Sequence, residues 1–102
     1  MIEVQVLIPL ISNEGESFSE EHHAAFEAAI LGRFGGFSRL PGNVIGKWVG
    51  GGITYTDALI AYVIALPGLT DGGRLAEVIA FAKSHYKQEA IYLRYLGISE
   101  IL

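Results

Sequence analysis

The hydrophobic period of this chain changes in a set order, and that order constrains the fold more than any single motif does. Ile2 to Leu10 alternates with period two, as a strand does. Helical spacing follows from about Ser19 to Arg33, with Phe26, Ala29 and Ile30 on the apolar stripe. Phe37 to Val49 and Ile53 to Leu66 read as strands. Gly72 to Tyr86 reads as a second helix and Glu89 to Leu96 as a last strand. The order β-α-β-β-α-β is the split βαβ arrangement of a ferredoxin-like sandwich. It predicts an α+β fold in one domain over residues 1–102, with an antiparallel sheet in the order 4-1-3-2 and both helices on one face.

Local signals agree with this order. Ser17 and Ser19 are both candidate caps of the first helix, and Ser17 with Glu20 fits a capping box. Gly32, Gly35 and Gly36 supply stop positions. Leu40-Pro41-Gly42-Asn43 suits a type II turn, which makes Phe37 to Val49 an edge strand that is bent or broken. Gly50, Gly51 and Gly52 read as a flexible corner into the next strand. Thr70 or Asp71 can cap the second helix, and Leu75, Val78, Ile79, Ala82 and Tyr86 form its inner stripe.

The third strand carries the main structural demand. Ala58 to Leu66 is apolar on both faces, whereas a sheet with helices on one side only should alternate. Hydrophobic residues make up 51% of the chain and charged residues only 18%, so part of the apolar surface calls for a second molecule. A homo-oligomer, in the first instance a dimer, is the expected way to cover it.

Charge and composition exclude several classes. The net charge is −4, and Glu3, Glu14, Glu16, Glu20, Glu21 and Glu27 all precede Arg33, the first basic residue. An acidic first third is the opposite of a nucleic-acid footprint. With no cysteine there is no disulfide framework and no thiol chemistry. The first apolar run lacks a basic flank and is interrupted by Glu3, so no signal peptide is expected. The longest uncharged apolar stretch, Ala58 to Leu69, is too short to cross a membrane and contains Pro67 and Gly68. A soluble cytoplasmic protein is the expectation.

No catalytic motif stands out. Gly42 to Lys47 is one residue short of a phosphate-binding loop, and Trp48 stands where Ser or Thr is needed. His22 and His23 are adjacent and diverge by about 100° on a helix. His23 and Glu27, at i and i+4, offer two metal ligands with no third nearby, so neither a metal site nor a cofactor is expected. Asp57, at the mouth of the third strand, and Glu89, at the start of the last, are the carboxylates available for acid-base work. The expected sheet order puts the first strand between them. Arg33, Trp48, Tyr55, Tyr62, Tyr92 and Arg94 form the remaining aromatic and basic set, suited to an oligomer interface or to a ligand pocket.

Arg33-Phe-Gly-Gly-Phe37, Gly46-Lys-Trp48, Tyr55-Thr-Asp57 and Gln88-Glu-Ala-Ile-Tyr92 resemble a pattern of small uncharacterised bacterial ferredoxin-like proteins. The pattern spans about residues 30 to 95. More remotely, the layout is similar to dimeric α+β barrel proteins, which include small monooxygenases. That resemblance implies a cavity between the sheet and a partner copy but transfers no catalytic residue. The expected function is a non-enzymatic homo-oligomeric binding or interaction module. The alternative is a small-molecule-binding protein or enzyme in which Arg33 or Arg94 holds an anionic group and Asp57 or Glu89 moves a proton.

Overall fold

The computed structural model describes residues 1–102, the side chain of residue 69 excepted. The elements run β1 Ile2–Pro9, α1 Glu20–Phe34, β2 Ser38–Arg39, β3 Val44–Gly50, β4 Ile53–Leu66, α2 Gly72–His85 and β5 Tyr92–Ile98, with a 3₁₀ turn at Leu69–Asp71. β1 pairs antiparallel with β4 on one side, Ile2 opposite Leu66 and Pro9 opposite Leu59, and with β5 on the other. β2 and β3 succeed one another along the outer side of β4. Taken together as one broken edge, they complete the expected 4-1-3-2 order of an α+β ferredoxin-like fold.

Period-two patterning decides which face carries the core. Val4, Val6 and Ile8 of β1 share a face with Ile60, Tyr62, Ile64 and Leu66 of β4. Phe26 and Ile30 from α1, and Leu75, Val78 and Ala82 from α2, pack onto that face. Burying each such aliphatic side chain stabilises by roughly 1.5–3 kcal/mol. Phe26 meets Tyr62 and Tyr86 edge-on, at ring distances of 5.2 and 5.7 Å.

The helix ends follow from their residues. Ser19, not Ser17, caps α1: its Oγ accepts the His22 N–H at 3.1 Å. Ser17 is held instead in a bridge with Ile11, so the capping box with Glu20 does not form. Gly35 ends the helix in the left-handed region, φ 72°. Asp71 stands at the head of α2 without capping it. Its carboxylate accepts the Gly68 N–H and pairs with Arg74.

The helices are tied at both ends. At one end Arg33 pairs with Glu77 at 3.0 Å, and Arg74 donates to the Arg33 carbonyl. At the other, the His22 and His85 rings stack at 3.7 Å, and each donates its Nε2–H to the backbone carbonyl of the other at 2.8 and 2.7 Å. His23, 1% exposed, places Nδ1 2.7 Å from the Tyr86 hydroxyl. His23 and Glu27 are each committed to hydrogen bonds within the fold rather than turned toward one another as ligands.

Two expectations shift. The glycine corner is a two-residue hairpin turn, with Gly51 at φ 57° and Gly52 at φ 78°, values that L side chains adopt at a cost. β3 and the first half of β4 therefore form a projecting arm on which Val44, Ile45, Trp48, Val49, Ile53 and Tyr55 are exposed. The molecule measures 44 × 28 × 25 Å, with a radius of gyration of 14.1 Å. A compact chain of this length has about 12.8 Å. The second shift concerns the middle of β4. On the face away from the helices its side chains are the small Ala61, Val63 and Ala65. Ala61 is 1% exposed beside Leu7, and Val63 and Ala65 are half-buried. The uncovered apolar surface lies on the arm and along β5 instead.

Candidate functional site

β1 stops at Pro9, while β4 runs on into the arm and β5 begins only at Tyr92, opposite Leu7. The Leu10 N–H still reaches the Ala58 carbonyl at 3.0 Å, and the chain then leaves the sheet through Ile11. The gap left beyond β1, between β4 and the α2–β5 connection, is a cleft of about 530 Å³. β1 contributes Leu7 and Pro9 to it, and the arm contributes Trp48, Asp57 and Leu59. The α2–β5 connection adds Gln88 and Glu89, β5 adds Tyr92, and Asn13 enters from the β1–α1 connection.

Local structure holds these groups. Trp48 lies opposite Tyr55 across the hairpin, and their rings stack at 6.0 Å and 21°. Gly46, two residues earlier on the same face, leaves room for them. A Cβ there would come within 3.3 Å of Leu59 Cδ1 and 3.9 Å of the Trp48 ring. On the other side Lys87 takes a left-handed conformation, φ 53°, that turns the chain from α2 toward β5. Asn13 fastens this turn by donating to the Lys87 carbonyl at 3.0 Å and accepting from Gln88 at 3.3 Å.

The cleft thus has aromatic faces on two sides, two carboxylates, two amides and an aliphatic base. Among the described residues neither Asp57 nor Glu89 forms an ion pair. Such a combination stacks a planar group, accepts hydrogen bonds from hydroxyl or amino groups and favours positive charge.

Four of the residues singled out from sequence, Trp48, Asp57, Glu89 and Tyr92, line this cleft. Asp57 and Glu89 reach it because β4 and the α2–β5 connection both extend past the end of β1. Tyr55 is exposed and stands behind Trp48. The Arg94 guanidinium lies 5.7 Å from the Tyr92 ring, outside the lining. Arg33 lies in the helix layer, paired with Glu77, too far around the molecule to serve the cleft.

Tyr62 is a core residue with no exposed surface. Its hydroxyl donates to Glu27 at 2.7 Å, and Arg39 bridges Glu27 and Glu20 at 3.1 and 3.0 Å. Burial, aided by that carboxylate, pushes the Tyr62 phenol well above its usual range. The cluster ties β2 to α1. Asn13, Leu7 and Leu59 were not legible as site residues, because only the end of β1 brings them together. Gln88 stands inside the Gln88–Tyr92 pattern and carried some signal.

No family model matches the sequence. Comparison with curated proteins gives no match either. Solved structures do match. CutA1 from Oryza sativa is 16% identical with a TM-score of 0.67, over 99% of this chain and 82% of that one. The divalent cation tolerance protein (Cut A1) from Thermus thermophilus is 13% identical with a TM-score of 0.66, over 99% and 86%. A phage SAM lyase in complex with S-methyl-5'-thioadenosine is 17% identical with a TM-score of 0.65, over 94% and 80%. At these identities the likeness is one of fold.

Proposed function

We propose that this chain is a homo-oligomeric binding module that takes a small molecule in the cleft at the end of β1. The observation that carries this reading is the convergence of Trp48, Tyr92, Asp57 and Glu89 on a sheet face that no helix of the chain covers. A cleft open on one side to solvent and rimmed by exposed apolar side chains suits a ligand held between sheet and partner copy. Non-enzymatic capture needs no more than the groups described.

A second reading is favoured by the aromatic and carboxylate lining: the ligand is a thioether or sulfonium nucleoside. Stacking on Trp48 or Tyr92 would hold the base, and Asp57 or Glu89 would accept from the ribose hydroxyls or face the positive sulfur. The phage SAM lyase with S-methyl-5'-thioadenosine makes this ligand class a concrete probe. The metal in the name of the other neighbours enters neither reading. Among the described residues no group of three or more His, Asp or Glu side chains is placed to hold an ion.

A thermal-shift screen against metabolites tests both readings, because a ligand that binds the folded state raises Tm. S-methyl-5'-thioadenosine should shift Tm in the wild type, and Trp48→Ala should abolish the shift while retaining the fold. A shift from other metabolites that is likewise lost in Trp48→Ala supports the first reading alone. A shift unchanged in Trp48→Ala and in Glu89→Gln places binding elsewhere and removes the cleft from the account.

A further inference from the structure

We propose that copies of this chain join head to tail, the open edge of β3 in one lying along the open edge of β5 in the next, and that this joint closes the cleft. The proposal rests on the homo-oligomeric reading above and supplies its geometry. It starts from surface area. The chain exposes 6397 Å², whereas a compact monomer of 11.0 kDa exposes about 5,600 Å². The surplus, roughly 800 Å², is what one partner of a standard interface buries.

Much of the exposed apolar surface lies where backbone is also unpaired. In the order β3-β4-β1-β5 the outermost strands are β3 and β5, each with one row of free N–H and C=O groups. Each is seven residues long. β3 exposes Val44, Ile45, Trp48 and Val49, and β5 exposes Tyr92, Tyr95, Leu96 and Ile98. Protection of these edges is slight: each carries one charge, Lys47 on β3 and Arg94 on β5, and β5 has a register shift at Leu96, but among the described residues neither strand contains a proline.

Pairing like with like, β3 on β3 or β5 on β5, would cover one edge of each copy and leave the other bare. Pairing β3 on β5 uses both edges of every copy. It extends the sheet from molecule to molecule and ends in a ring when the rotation closes. Trp48 stands on β3 and Tyr92 on β5, so the joints bring neighbouring chains up to both flanks of the cleft. A lone copy has an incomplete site.

The absence of native cysteine makes a direct test clean. Lys47 and Tyr95 are exposed mid-strand residues of β3 and β5. They lie on opposite edges of one chain, three strand spacings across the sheet and eight residues of β4 along it, roughly 30 Å apart. With a short thiol crosslinker, the double variant Lys47→Cys/Tyr95→Cys should give covalent dimers and higher species on a denaturing gel. Each single variant should stay monomeric there. Crosslinked dimer from Lys47→Cys alone, or from Tyr95→Cys alone, would show a two-fold joint and overturn the head-to-tail arrangement while leaving the oligomer intact. No crosslink, with a monomer by sedimentation at micromolar concentration, would overturn both this proposal and the homo-oligomeric reading. Circular dichroism on each variant checks that the fold is retained.

Discussion

His23 is a buried imidazole in an apolar setting, with one nitrogen on Tyr86 and Nε2 without a partner. Burial, reinforced by the Arg39 charge, holds its pKa below the ordinary 6.5. The unfolded chain therefore takes up a proton that the folded chain refuses. The stabilisation is complete above about pH 6.5 and is lost as the pH falls toward the folded value. Urea unfolding from pH 7.5 down to pH 5 should show declining stability, with a shallower slope in His23→Gln. Equal slopes would assign the effect to groups other than His23. None of this was visible in the sequence. There His23 was one of two adjacent histidines on a first helical turn, and only the packing of Tyr86 against α1 shows that it is internal.

At the scale of elements, periodicity was enough to order the strands and helices, because each has one buried face and a period that names its type. It failed where exposure is complete. The arm from Val44 to Leu59 has no buried face; Ile53 to Leu66 still read as one strand, but Phe37 to Val49 read as a single bent edge and Gly50 to Gly52 as a loose corner. Only positive φ at Gly51 and Gly52 reveals a tight hairpin. The cleft was half legible. Asp57, Glu89, Trp48 and Tyr92 were noticed singly, but their meeting depends on where β1 ends, and strand ends are the least certain part of any pattern. β2, only two residues long, is held both by its ladder to β4 and by the Arg39 side chain. Tyr62 and Arg39 both reach Glu27. Tyr62→Phe removes a hydrogen bond to a charged acceptor and should cost about 1.5–3 kcal/mol in urea unfolding. A neutral result would mean that Arg39 alone satisfies Glu27 and that β2 is anchored by its backbone.

The whole molecule divides into a shielded body and an unshielded limb. The body has a core closed by two helices that are joined at one end by Arg33, Glu77 and Arg74 and at the other by the His22–His85 stack. The limb has a ladder and two stacked rings but nothing beneath them. This contrast has a consequence in time. Amide protons of Ile45 to Tyr55 should trade with deuterium through local opening, orders of magnitude faster than those of Val4 to Ile8, which wait for global unfolding. Raising the protein concentration should slow the fast group selectively and leave the slow group almost untouched. A limb whose amides are equally slow at every dilution would mean that its ladder is rigid without help.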